Sequence, residues 1–127
     1  MTNTPVSAEQ EVKERLGYKS PYEQWKESEG LPTYRGLSIK NLYELELAPW
    51  RSSGSGRAAF INLDGTGGFN DSYVAEIPPG KSLKAHRHLF EETIYILKGQ
   101  GATSVWIDPG GKETFEWHEG SYFSIPM

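Results

Sequence analysis

The chain has no cysteine, and it also lacks long apolar stretches and clusters of basic residues. Without cysteine it can form no disulfide scaffold, no thiolate metal site and no cysteine nucleophile. Its mean hydropathy is -0.60, and no apolar run approaches the ~18 residues that a membrane-spanning helix needs. The formal net charge is -4, from 13 Lys and Arg against 17 Asp and Glu, so we expect neither nucleic acid nor a membrane as a partner.

Glycine, proline and aromatic residues are plentiful. The 127 residues include 14 Gly, 8 Pro, 7 Tyr, 5 Phe and 4 Trp, a composition typical of a turn-rich β protein. A chain of this length buries about two-thirds of its unfolded surface, which suffices for one hydrophobic core. The first ten residues are polar and do not read as a secretory signal, so a cytoplasmic location is expected.

Residues 1–36 are predicted to form a helical N-terminal arm. One helix is expected after Ser7, where acidic residues precede basic ones in the order that complements the helix dipole. A second is expected after Ser20, with Pro21 in the first turn, Glu23 completing a capping box and Gly30 beyond the end. Two interpretations remain open: the arm packs on a partner subunit, or it decorates its own subunit.

The remaining residues, 37–127, read as a series of short strands separated by turns rich in Gly and Pro. Strands recurring at roughly ten-residue spacing are typical of an antiparallel sandwich or barrel, so an all-β domain is predicted. The expected strands span 42–47, 58–63, 72–77, 82–89, 93–97, 102–107, 114–117 and 122–125.

Two histidines and a glutamate suggest a metal site. On a strand over 82–89, His86 and His88 project from the same face because alternate side chains share a face. Glu92 opens the next strand, where its carboxylate can meet both imidazoles. Such a set suits one divalent transition metal, namely Fe, Mn, Ni, Zn or Cu. The alternative is that both histidines are ordinary, partly exposed residues of a sheet.

The spacing Gly80-x5-His86-x-His88-x3-Glu92-x6-Gly99 resembles the first conserved motif of the cupin superfamily. Every offset of that motif is satisfied, and Glu91 in place of Glu92 would break it. The resemblance implies a double-stranded β-helix (jelly-roll) barrel of six strands, with the metal in one mouth and commonly a dimeric assembly. It leaves the reaction open, and iron is the ion we favour.

Near the end of the chain, Gly120-x5-Pro126 resembles the start of the second cupin motif. In the family a histidine follows, as the fourth metal ligand, but this sequence stops at Met127. We therefore expect residues 37–127 to be the N-terminal part of a barrel that is incomplete at its C-terminus. The continuation would belong to a longer protein or to a cleaved segment that stays associated.

Strand parity also predicts a small-molecule pocket around the metal. Lys84 shares a face with the histidines, and Ile94 and Ile96 share one with Glu92. For each of the predicted pocket residues except Lys84, simple core packing is the alternative; an inward lysine needs a partner or an anionic substrate. On the strand over 102–107, Ser104 and Trp106 are favoured over Thr103 and Val105 as lining residues. Tyr122 and Ser124, which share one face of the last strand, are further candidates for the pocket.

The expected function is a mononuclear metal enzyme of the oxygenase type acting on a small organic molecule, as a homodimer. Two alternatives remain: a non-catalytic cupin that binds a small ligand, and a barrel fragment that needs a separate C-terminal polypeptide. Metal content and activity after chelation distinguish the first from the others.

Overall fold

The structure is a computed structural model that describes residues 16–66, 69–107 and 109–126. The helix predicted after Ser7 lies outside these ranges. The chain divides into two units, the first ending at Ala85 and the second beginning at His86. The elements are helix α1 (Pro21–Ser28) and strands β1 (Thr33–Gly36), β2 (Ala48–Pro49), β3 (Arg57–Leu63), β4 (Ser72–Glu76), β5 (Glu92–Tyr95), β6 (Gln100–Trp106), β7 (Lys112–His118) and β8 (Tyr122–Ile125).

The described residues are rich in β-structure, as predicted, and their strands pair into three separate sheets. Strands β1 to β4 form one sheet, β5 pairs with β8, and β6 pairs with β7. This pairing does not close a barrel among the described residues. No helix in the same ranges is long and apolar enough to cross a membrane.

Strand β3 is the centre of the first unit. It pairs in parallel with β1 and antiparallel with β2 and β4, so most of its backbone hydrogen bonds lie inside the sheet. Its residues Ala58, Ala59, Phe60 and Ile61 are at most 5% exposed and supply most of the buried apolar core of the described chain. The continuous apolar run of β3 is therefore explained by burial on both faces.

Helix α1 begins and ends where the sequence predicts. The Ser20 hydroxyl accepts a hydrogen bond from the Glu23 N–H at 3.2 Å, and the Glu23 carboxylate accepts one from the Ser20 N–H at 2.7 Å. Pro21 occupies the first turn, where its missing N–H costs nothing. Gly30 follows the helix with a φ of 66°, a conformation that glycine adopts readily.

The Asp71 carboxylate anchors α1 to the sheet of its own chain. Its Oδ2 accepts hydrogen bonds from Lys26 Nζ at 2.6 Å and from the Tyr22 hydroxyl at 2.8 Å. The Lys26 and Asp71 side chains are only 11% and 14% exposed. Beside this pair, the Trp25 ring meets Phe60 edge-on with centroids 5.7 Å apart. A polar pair and an aromatic contact thus hold the same helix face.

Tyr22 provides a test of this packing. Burial, reinforced by the Asp71 carboxylate, raises the pKa of the Tyr22 hydroxyl above the ordinary tyrosine value. Above about pH 10 the unfolded chain releases this proton while the folded chain keeps it, so stability falls as pH rises further. An absorbance titration should show one phenolate ionising later than the rest, and Tyr22→Phe should remove that late component and flatten the alkaline loss of stability. If Tyr22→Phe leaves the late-ionising component in place, the late phenolate does not belong to Tyr22 and the anchoring role is contradicted.

Two predicted strands are wrong. Residues 42–47 contain a 3₁₀ turn, Leu42–Glu44, because the Asn41 side chain accepts from the Tyr43 N–H at 3.0 Å and favours a turn. Just beyond it, the Tyr34 hydroxyl bonds both the N–H and the carbonyl of Glu46, which replaces a strand partner.

Residues 82–89 likewise form no strand. A single bridge joins Leu83 to Gly54, and one further backbone bond joins the Lys84 N–H to the Ser53 carbonyl at 2.9 Å. A strand needs a continuous ladder with a neighbour, and the segment does not have one. The parity argument that placed His86 and His88 on one strand face is therefore wrong, whatever brings the two side chains together.

The other predicted strands are confirmed with ends shifted by at most two residues, and 122–125 coincides with β8. In the second unit β5 and β8 pair antiparallel, with Glu92 opposite Ile125 and Ile94 opposite Phe123. Strands β6 and β7 form a hairpin of seven paired positions. The Phe115 ring meets Phe123 edge-on at 4.9 Å between centroids, which joins the two strand pairs.

Candidate metal centre

Three potential metal ligands converge in the second unit. His86 and His88 lie in the irregular segment before β5, and Glu92 is the first residue of that strand. One nitrogen of each imidazole and one carboxylate oxygen lie within 4.8 Å of one another. The grouping predicted from spacing is therefore present, although a turn rather than a strand face produces it.

The closest pair of donors is His88 and Glu92. Their Nε2 and Oε2 atoms are 3.3 Å apart, and the two side chains are 15% and 14% exposed. Ligand bonds of about 2.0–2.2 Å place neighbouring ligand atoms about 3.0–3.5 Å apart, so this distance suits one edge of a coordination sphere. His86 is exposed, with its ring 5.5 Å from that of His88, so the group is open to solvent on one side.

The orientation of the His88 ring is set by its other nitrogen. His88 Nδ1 lies 2.7 Å from the Phe90 carbonyl oxygen, which can only accept a hydrogen bond. Nδ1 therefore carries a proton, and Nε2, the other ring nitrogen, faces the Glu92 carboxylate at 3.3 Å. The carboxylate also only accepts, so a metal ion or a proton is needed between Nε2 and Oε2. A backbone carbonyl that orients a histidine through its other nitrogen is typical of metal sites. A proton on Nε2 would make the same contact an ordinary ion pair.

The chemistry of the donors fits the ions expected from the sequence. Imidazole nitrogen and carboxylate oxygen together suit Zn, Fe, Mn, Ni and Cu. Three protein ligands also leave positions for water or a substrate. The described residues thus contain a group that fits a divalent metal.

The predicted pocket residues on β5 and the preceding segment are placed differently from one another. Ile94 is half-buried on the same sheet face as Glu92, and Ile96, just after β5, is also half-buried. Lys84 is exposed and belongs to the first unit. Its aliphatic chain runs beside Gly54, where an added Cβ would lie 3.4 Å from Lys84 carbons.

On β6, Ser104 is half-buried, with its hydroxyl 2.7 Å from that of Thr114. Trp106 is 48% exposed, with Lys112 Nζ 5.3 Å from its ring centroid. Thr103, of the alternative parity, accepts a hydrogen bond from the Trp117 indole at 3.0 Å.

Tyr122 and Ser124 lie on the face of the β5–β8 pair opposite Glu92. They stand across from Tyr95 and Thr93, whereas Glu92 stands across from Ile125. Tyr122 is 70% exposed. The structure therefore brings together His86, His88 and Glu92, and it does not bring Tyr122 or Ser124 to their face.

Phe90 is the residue that the sequence reasoning missed. Besides the contact of its carbonyl, its ring stacks on the His88 imidazole, with centroids 4.2 Å apart and planes 5° from parallel. Phe90 belongs to none of the motif positions. The only signal for it in the sequence is that it is an aromatic residue two positions after His88.

Comparison of the chain with protein-family models, with curated proteins and with solved structures finds no match. The resemblance to cupins therefore rests on the motif residues, and the site is interpreted from its own geometry.

Proposed function

We propose that this protein binds one divalent transition metal ion through His86, His88 and Glu92 and uses it for chemistry on a small organic molecule. The observation that carries the proposal is the convergence of three potential ligand atoms within 4.8 Å, with His88 Nε2 3.3 Å from Glu92 Oε2. Iron and oxygenase-type chemistry are the version we favour.

Membership of the cupin superfamily is part of the proposal. It is supported by the complete first motif from Gly80 to Gly99 and by the β-rich fold. In this proposal residues 37–127 contribute to a jelly-roll barrel, and the assembly is a homodimer in the cytoplasm.

A bound ion would supply Lewis acidity or the activation of dioxygen. The chain's own residues have separate roles around it. The Glu92 carboxylate supplies negative charge, which offsets part of the charge of a divalent ion. His88 would supply Nε2, which the contact of Nδ1 with the Phe90 carbonyl turns toward Glu92. The exposure of His86 leaves one side of the group accessible to a substrate.

Metal binding is the first experiment. Protein freed of metal by chelation is titrated calorimetrically with Fe(II), Mn(II), Ni(II), Zn(II) and Cu(II), the iron titration being anaerobic. We expect one ion per chain for at least one of these metals. If none binds at this stoichiometry, the proposal is wrong and the His88–Glu92 contact is an ion pair.

Turnover separates the enzyme from the alternatives. The loaded protein is supplied with small organic acids, phenols and diketones while dioxygen consumption is recorded. Tight metal binding without consumption of any of them would favour the non-catalytic binding protein. Recovery of activity only with a co-purified second polypeptide, identified by intact mass, would favour the barrel fragment.

A further inference from the structure

We propose that the Asp64–Gly65 step is a site of spontaneous backbone modification, at which the folded protein converts aspartate to isoaspartate through a succinimide ring. The site lies in the turn that follows β3, and the proposal does not depend on the metal centre. It rests on the contrast between Asp64 and Asp71, the two aspartates that lie in the described ranges.

The reaction requires an aspartate followed by a residue whose backbone nitrogen can reach the side-chain carboxyl. The Gly65 nitrogen attacks Asp64 Cγ, an N–Cγ bond forms, and the carboxyl hydroxyl group leaves as water with the amide proton. Water then adds to the ring. Cleavage between the nitrogen and the Asp64 backbone carbonyl carbon leaves isoaspartate, whereas cleavage of the N–Cγ bond restores aspartate.

The sequence offers this chemistry its most favourable context at a single position. It contains one Asp-Gly step, Asp64–Gly65, and no Asn-Gly step. Glycine favours ring closure because it has no Cβ to obstruct the approach and because its backbone rotates more freely than that of any other residue.

Nothing in the described part of the chain holds the two reacting groups apart. Asp64 and Gly65 are both exposed, and within the described ranges no hydrogen bond or ion pair engages the Asp64 carboxylate or the Gly65 N–H. Gly65 has a φ of 86°, and a Cβ added there would meet no atom within 4 Å. The nitrogen and the carboxyl are therefore free to rotate into contact, and water reaches the ring that they form.

Asp71 is also followed by a small residue, Ser72, but its carboxylate is fixed. Its Oδ2 accepts from Lys26 Nζ at 2.6 Å and from the Tyr22 hydroxyl at 2.8 Å, and its side chain is 14% exposed. Ring closure would replace the carboxylate with a neutral carbonyl and leave the largely buried charge of Lys26 without its partner. Ser72 also begins β4 and pairs with β3, so its peptide group cannot turn without breaking the sheet.

We expect the modified chain to keep its fold. Isomerisation inserts Cβ of Asp64 into the main chain beyond the Asp64 N–H, which donates to the Gly36 carbonyl at 2.8 Å. The pairing of β1 with β3 therefore stays intact, and the change falls on the turn, where the Thr66 hydroxyl donates to the Leu63 carbonyl at 3.1 Å. The carboxylate moves to Cα, so the mass of the chain does not change and peptide-level detection is required.

The test ages the folded full chain near neutral pH at physiological temperature, beside a sample unfolded in guanidinium chloride and beside the Asp64→Glu variant. Isoaspartate is measured by methylation with protein L-isoaspartyl methyltransferase and located by peptide mapping. In the folded wild type we expect a signal at Asp64 that grows with time and none at Asp71. Asp64→Glu should lose the signal, because the longer side chain must close a larger ring that forms more slowly.

Three results would overturn the proposal. Isoaspartate at Asp64 in the unfolded sample but not in the folded one would mean that the native turn keeps the nitrogen away from the carboxyl. A signal of equal size at Asp71 in the folded chain would mean that hydrogen bonds and sheet pairing give no protection. Persistence of the full methylation signal in Asp64→Glu would assign the modification to another residue.

Discussion

Replacing Glu92 with Gln is expected to weaken metal binding by on the order of 100-fold or more, since even the loss of a group that only orients a ligand costs up to about that much. The amide has no negative charge and is a poorer ligand for a divalent ion. The same change at Glu91 should leave the affinity unaltered, because Glu91 is exposed and outside the ligand group. Calorimetric titration of the two metal-free variants measures the difference.

The pair Glu91→Gln and Glu92→Gln is matched in chemistry, in charge and almost in position. Circular dichroism and urea unfolding of both variants serve as the control for folding. Equal losses of affinity in the two variants would point to general electrostatics rather than to a ligand. Retention of full affinity in Glu92→Gln would remove Glu92 from the site.

Replacing Asp71 with Ala is expected to destabilise the first unit by about 3 kcal/mol, because removal of one partner leaves a buried charge uncompensated. Lys26 would lose its 2.6 Å partner while remaining largely buried, and Tyr22 would lose its hydrogen bond. The free energy of unfolding from urea titrations measures the cost. The fluorescence of Trp25, which packs on Phe60, should report release of α1 in the same transition.

The chain contains a matched comparison for this substitution. Lys19 and Glu27 also form a pair at 2.6 Å, but their side chains are 55% and 61% exposed. Glu27→Ala should therefore cost less than about 1 kcal/mol, as exposed ion pairs do. Similar costs for Asp71→Ala and Glu27→Ala would mean that burial adds nothing to the Asp71 pair and that α1 is held by its apolar contacts alone.

The features that could be predicted depend on residues close together in the chain. The capping box of α1 involves only Ser20 and Glu23, and β8 lies between a glycine turn and Pro126. The group of candidate metal ligands was also predictable. His86, His88 and Glu92 are so near in sequence that an irregular segment as well as a strand brings them together.

The features that could not be predicted depend on partners distant in the chain. The alternation over 42–47 suggested a strand. The Tyr34 hydroxyl, however, hydrogen-bonds the N–H and the carbonyl of Glu46, which a partner strand would otherwise bond. Similarly, the 82–89 segment reads as a strand but finds no neighbouring ladder beyond Leu83. A strand exists only where another strand pairs with it, and local propensity does not specify that partner.

Sequence alone was thus sufficient for a β-rich domain with a capped helix and for the identity of three clustered candidate ligands, because periodicity, capping and spacing act over a few residues. The tertiary structure decided that β1 runs parallel to β3, that Asp71 anchors α1, and which face of the β5–β8 pair carries Glu92. It also decided the orientation of the His88 imidazole, since the carbonyl and ring of Phe90 take their positions only when the chain turns back into β5. Hydrogen bonds and stacking require defined distances and angles in space, which spacing along a chain does not provide.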